Sequence, residues 1–143
     1  MAERRKKGEL TLLAEQLDKE LRKAALARDG ERCCHCGWTA VEHADLRKLH
    51  TSHVIPKREG HGLRWDIRNV IILCYRCHLE KWHKDPLLMA KWFQETYPDR
   101  YGYLMERHDL KKTLTADDRR GLINFLRMKA KQWQRSRVGK TKS

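Results

Sequence analysis

The chain has no apolar run near the roughly 20 residues that a membrane-spanning helix needs, so a spanning protein is not expected. Its start, "MAERRKKGEL", has no apolar h-region and does not read as a secretory signal. The expected location is therefore the cytoplasm, where thiols stay reduced. Acids are in short supply: 19 Asp and Glu stand against 32 Lys and Arg, a formal charge of +13. That imbalance points to a polyanionic partner, nucleic acid first, with an anionic membrane surface as the rival. No internal repeat is present, and 143 residues fit one ordinary domain or a small domain with helical extensions.

Cysteine, by contrast, is present and patterned. Of the 5 cysteines, Cys33 and Cys36 form one C-x-x-C pair and Cys74 and Cys77 another. Neither pair sits in the βαβ context of a thioredoxin-like redox motif. In a reducing compartment the pattern predicts a structural zinc held by Cys33, Cys36, Cys74 and Cys77. Gly37 suits the left-handed position that closes such a knuckle. Cys34 is off register and reads as a bystander. His35 and His43 read as surface residues.

Leu10, Leu13, Leu17, Leu21 and Ala24 or Ala25 fall at helical spacing, predicting a helix over 9–28 that ends at Gly30, with residues 3–7 frayed. Residues 40–60 read as extended, with "REGHG" a loop. "NVIILC" is a short β-branched run into the second knuckle, and "HLEKWHKD" reads as a short helix. Asp85 before Pro86 is an N-cap with proline at the first helical position, so another helix starts there and stops near Pro98. A short helix is expected over "RYGYLMERH". Thr115, with Asp117 and Asp118 in the first turn, caps a last helix reaching about Trp133.

Between the knuckles lies "LHTSHVIPKREGHGLRWDIRNVIILC". It supplies His50 and His53 at the end of an extended stretch, then Asn69 ahead of an apolar run, then Cys74 and Cys77 with His78 adjoining. Residues 33–83 thereby resemble the HNH, or ββα-metal, nuclease family. "HTSHVIPK", "LRWDIRN" and "CYRC" look most like the phage NinG/Rap recombination endonucleases, a likeness reaching to about residue 127.

The resemblance implies an α+β fold: a small ββα-metal nuclease core stapled by the four-cysteine zinc, flanked by an N-terminal helix and C-terminal helices. The expected divisions are a basic N-terminal segment and helix at 1–30, the nuclease core at 31–84, a helical region at 85–134, and a basic, disordered tail at 135–143. It also implies a metal-dependent DNA endonuclease acting on branched DNA or Holliday-type recombination intermediates, in a phage context and so in a host cytoplasm. Resolving a junction needs two active sites, which makes a homodimer reasonable.

Phosphodiester hydrolysis needs a base, charge neutralisation and a stabilised leaving oxygen. A histidine near neutral pKa takes a proton from water at working pH, and His53 is the expected general base. A divalent ion, Mg²⁺ or Mn²⁺, would be held by His78, with His50 as second candidate. Positions three apart in a strand face opposite sides, so joining His50 to His53 in one site calls for a bulge at Thr51–Ser52. Many family members carry the ligand directly before the base, where this chain has Ser52. Asn69 is expected to bridge backbone groups and hold the His53 strand. His83 lies five residues after His78, not the helical four; it reads either as a ligand or as a solvated helix histidine. Lys57, Arg58, Arg64, Arg68 and Lys81 are candidate phosphate contacts, and His61 is a further loop candidate. Trp65, Trp82 and Trp92 read as packing residues, and the basic C-terminal tail as a nonspecific backbone clamp. The alternatives are an HNH nuclease of homing or restriction type cutting ordinary duplex, and a noncatalytic zinc module that binds nucleic acid without needing His53, Asn69 or His78.

Overall fold

The computed structural model describes residues 2–40, 45–57 and 61–141, without the side chains of 2–7, 61 and 138–141. His43 and Arg58 lie outside the described residues, as does the side chain of His61.

Helix α1 spans Ala2–Asp29, starting ahead of the expected Glu9 and including the basic stretch expected to fray. Its stripe of Leu17, Leu21, Ala24 and Ala25 is wholly buried or nearly so. Each buried leucine contributes about 1.5–3 kcal/mol relative to exposure. Gly30 ends the helix at φ 91, its N–H returning to the Leu26 carbonyl at 2.9 Å.

Strands β1 (Leu49–His53) and β2 (Val70–Cys74) form one antiparallel hairpin, paired from Leu49 with Cys74 to His53 with Val70. Every β2 residue is buried, as its β-branched run predicts. The strand's other edge is closed by side chains and one turn. Arg28 and Arg100 both donate to the Val70 carbonyl, at 2.6 and 2.7 Å. Asp29 accepts the Ile72 N–H at 3.1 Å, and the Cys34 N–H donates to the Ile72 carbonyl at 2.9 Å. A free β edge is thereby removed.

After β2 the chain makes a π-helix, Arg76–Trp82, where the sequence suggests an ordinary short helix. Helix α2 covers Pro86–Thr96, capped by Asp85 accepting from Leu88 N at 3.2 Å. Helix α3 covers Pro98–Glu106. Helix α4 runs over Ala116–Thr141. Thr115 and Asp118 cap it reciprocally, side chain to backbone, at 3.1 and 3.0 Å. The helix passes the expected stop at Trp133 and continues through 135–141, where a disordered tail is expected from composition.

Helices α1 and α4 lie side by side and run parallel, as the pairs Glu9–Arg120, Glu20–Arg127 and Gly30–Arg137 indicate. Ile123 and Leu126 join the α1 stripe and β2 in one core, to which Met89, Phe93 and Leu104 also belong. The architecture is α+β: a hairpin and its following helix, embraced by N-terminal and C-terminal helices. No described helix is long and apolar enough to cross a membrane.

Candidate metal centres and active site

The knuckle turns bring Cys33, Cys36, Cys74 and Cys77 together, their Sγ atoms all within 4.8 Å of one another. Gly37 closes the first knuckle at φ 82, and its N–H returns to the Cys33 carbonyl at 3.0 Å. Metal–sulfur bonds of roughly 2.3 Å in a tetrahedron put sulfurs about 3.8 Å apart. Cys36 and Cys74 lie at 3.6 Å, so the donor set fits zinc. No cysteine is in a disulfide. Burial and the Cys33 charge push the Cys74 and Cys77 thiols up. At Cys36, burial is outweighed by the Trp38 backbone and the neighbouring thiols, and the pKa falls. A divalent cation relieves this crowding by replacing protons.

Of the cluster's two neighbours, His35 differs from its expected role and Cys34 does not. His35 is half-buried rather than a surface residue: its Nδ1 is 3.4 Å from the Cys77 sulfur and its ring meets Trp92 edge-on at 4.7 Å. Cys34 stays outside the sulfur set. Burial and Asp29 push its thiol up to about 12, and its backbone closes the β2 edge.

On the hairpin, β1 is paired without a bulge, so the pleat sends His50 and His53 to opposite sides. The bridging distortion at Thr51–Ser52 is not there. His50 meets the π-helix instead: its Nδ1 lies 2.9 Å from His78 Nδ1. At most one proton fits between two ring nitrogens so close. Cis ligands of an octahedral ion with bonds near 2.1 Å sit roughly 3 Å apart, so the pair also fits a shared divalent cation. Burial, then the charges of His83, His50 and His53, hold His78 down at about 4. Burial, then the Arg22 charge, lowers His50 as well, so both rings favour the neutral form that ligation requires.

The π-helix settles where His83 lies. Its N–H bonds to the His78 carbonyl at 3.2 Å, an i→i+5 step. A five-residue spacing thus returns His83 to the face of His78, with ring centroids 4.6 Å apart. His83 is exposed, and its ring nitrogens do not complete a three-ligand group with His50 and His78. Ser52 is buried, 1% exposed.

His53 is half-buried, and its Nε2 lies 2.8 Å from the Arg64 carbonyl. A carbonyl only accepts, so Nε2 carries the proton and Nδ1 keeps the lone pair. Burial lowers its pKa, opposed by the Arg64 carbonyl and assisted by Lys57. No hydrogen bond or ring contact joins His53 to His50 or His78, although its charge reaches His78.

Asn69 is wholly buried. Its Oδ1 accepts from Ile55 N at 2.8 Å, and its Nδ2 donates to the carbonyls of Ile55 and Leu63 at 3.0 and 3.1 Å. It thus ties the end of β1 to the loop that holds His53. The same loop is anchored to α1 through Asp18, which accepts from Trp65 Nε1 at 2.8 Å and Arg64 Nη2 at 3.2 Å. Nothing in the sequence flagged Asp18; a carboxylate on the solvated side of a helix carries no local signal.

The candidate phosphate contacts separate. Lys57 is exposed and close enough to His53 to act on its charge, and Lys81 is exposed on the π-helix. Arg64 is turned to Asp18 and lies 4.7 Å over the Trp65 ring. Arg68 lies over Tyr103, away from the histidines' hydrogen bonds. Trp65 and Trp82 are buried and Trp92 is half-buried.

Residues 33–84 match the family model described as HNH endonuclease. No curated protein and no solved structure matches the chain.

Proposed function

We propose that this chain is a metal-dependent endonuclease that hydrolyses DNA phosphodiester bonds with His53 as general base. The observation that carries the reading is the pair of His50 and His78 imidazoles, 2.9 Å apart, where β1 meets the π-helix, with His53 ending the same strand, its charge felt at His78 and its tautomer leaving Nδ1 free. The match of residues 33–84 to a nuclease family supports it, as does the +13 charge.

His53 Nδ1 accepts a proton from water as the water oxygen attacks phosphorus. The P–O3′ bond breaks, leaving a 5′-phosphate and a 3′-oxygen that is protonated from solvent. Base catalysis of this kind is worth roughly 10²–10⁴-fold. His50 and His78 would hold a divalent ion, Mg²⁺ or Mn²⁺, with His83 beside them; when bound it neutralises charge on the phosphate and the leaving oxygen. Asn69 acts from behind: by fixing Ile55 to Leu63 it keeps the Arg64 carbonyl on His53. Lys57 offers its ammonium to a phosphate approaching His53. Zinc held by the four cysteines would fix the start of the π-helix, and so His78, relative to β1.

Branched DNA or a recombination intermediate is the proposed substrate, on the likeness of "HTSHVIPK", "LRWDIRN" and "CYRC" to the phage NinG/Rap proteins. Paired cuts on a four-way junction need two copies of the site, which a homodimer supplies. The test is incubation of the zinc-loaded protein with linear duplex, flap and four-way junction DNA, with Mg²⁺, with Mn²⁺ and with no added ion. Ion-dependent cutting, fastest on the branched forms, is expected. Absence of cutting on all three with either ion would remove the endonuclease.

A further inference from the structure

A second surface lies behind the His53 loop. The segment Gly62–Arg68, the end of α3 and one face of α4 enclose an open groove of about 600 Å³. Its α4 wall presents Phe125, Lys129 and Trp133, spaced four residues apart and so on one helix face. The Lys129 ammonium is 5.7 Å from the Phe125 ring and 5.9 Å from the Trp133 ring. Phe125 is 40% exposed, unusual for phenylalanine on a helix that buries Ile123 and Leu126 beside it.

The facing wall is a stack. The guanidinium carbons of Arg68 and Arg107 lie 3.6 and 4.0 Å from the Tyr103 ring centroid. Two planar cations that close to one centroid do not fit on one face, so they sandwich the ring. The outer planes of the sandwich are flat, cationic and able to stack on a base. Among the described residues of the lining, Asp66 is the one carboxylate, against four cations: Arg68, Arg107, Lys112 and Lys129. It is already engaged, accepting from the Tyr103 hydroxyl at 2.5 Å and from Arg68 N at 2.9 Å. Gly62 sets the end of the groove. A Cβ there would meet the Leu110 carbonyl at 2.7 Å, so only glycine lets the two loops close.

We infer that this groove holds an unpaired DNA strand, with bases on Phe125 and the arginine stack and backbone phosphates on Lys112 and Lys129. The inference rests on the DNA endonuclease reading and adds the part of the substrate that is single-stranded. Aromatic faces interleaved with cations are what sequence-independent single-strand binding requires. A duplex, whose bases are stacked on each other, offers no free face to Phe125. The groove's floor residues Leu63 and Trp65 flank Arg64, whose carbonyl holds His53. A strand that leaves the duplex near His53 therefore meets the groove within the same loop.

The test is fluorescence anisotropy with the full chain, zinc loaded and no other divalent ion added. The probes are labelled oligo-dT of about 16 nucleotides and a duplex of equal length. Phe125→Ala is expected to weaken oligo-dT binding by about five- to a hundredfold while duplex binding changes less than about twofold. Phe125→Trp, which keeps a ring, is expected to bind oligo-dT within about threefold of wild type. Circular dichroism checks that both variants fold. Unchanged oligo-dT affinity in folded Phe125→Ala, or equal losses on the two probes, would overturn the groove. So would an RNA of the same length that displaces oligo-dT at lower concentration. The two readings fail differently. Ring-dependent oligo-dT binding without cutting of any DNA removes the endonuclease and keeps the groove. Cutting of duplex with no effect of Phe125→Ala on oligo-dT does the reverse.

Discussion

His50 and His83 reach His78 by two unlike routes: a strand register and a π-turn. His50 pairs across the hairpin with Leu73 and meets His78 at 2.9 Å between Nδ1 atoms. His83 arrives through the i→i+5 bond to the His78 carbonyl. In an α-helix a five-residue spacing is out of phase by more than a third of a turn. The seven-residue π-segment removes that mismatch.

Removing His83 should therefore raise the pKa of His78. Burial is the first cause of its low value, about 4, and the charge of His83 is the second. In His83→Ala the like charge is gone, so protonation of His78 becomes easier and its midpoint moves up toward 6.5. An NMR titration of the imidazole Cε1–H signals, without added Mg²⁺ or Mn²⁺, reads this directly. A midpoint unchanged or lowered would contradict the arrangement.

The sulfur cluster predicts one zinc per chain by native mass spectrometry. Cys77→Ser should lose it and leave the 33–84 region unfolded, since structural zinc contributes roughly 10–16 kcal/mol in small sites. Cys34→Ser should keep it, because Cys34 lies outside the group of four sulfurs. Loss of zinc in Cys34→Ser would contradict the assignment.

Asn69→Ala should destabilise the protein by about 3 kcal/mol, because the Ile55 N–H and two carbonyls lose buried partners. For a chain of this size that lowers Tm by roughly 6–12 °C. A fall of less than about 2 °C would mean that the amide does not hold the loop.

Much of this was legible before any coordinates. The two C-x-x-C spacings specify the metal cluster, because a knuckle is a local turn whose geometry its residues determine. The α1 stripe, the Asp85–Pro86 start and the Thr115 cap are likewise local signals, and each lies where it was expected. What was not legible depends on distant parts of the chain. The π-turn depends on how Trp82, against Phe93 at 6.3 Å between ring centroids, is held in the core. The straightness of β1 comes from its pairing with β2, and the extension of α4 past Trp133 from packing beside α1. Asp18 and His35 gain their roles only when α1 meets the loop and α2 meets the knuckle.

Burial lowers the pKa of His53, so the proposed base stays neutral at pH 7. The acid limb of a cleavage profile should then have its midpoint below 6.5, with full activity above it. Stability of the protein without Mg²⁺ or Mn²⁺ should follow the same sign. His50, His53 and His78 all have lowered pKa values, so below 6.5 the unfolded chain binds more protons than the folded one. Stability is full above 6.5 and declines as pH falls toward about 4, where His78 titrates. A chemical-denaturation series from pH 8 to pH 4 checks it; stability that rises on acidification would contradict it.

The most direct measurement is single-turnover cleavage by wild type and His53→Ala, with binding of the same DNA measured alongside in the absence of Mg²⁺ and Mn²⁺. The account predicts a rate lower by about 10²–10⁴-fold in the variant, with affinity and fold retained. Equal rates in the two proteins would show that His53 is not the base and that the hydrolytic centre lies elsewhere.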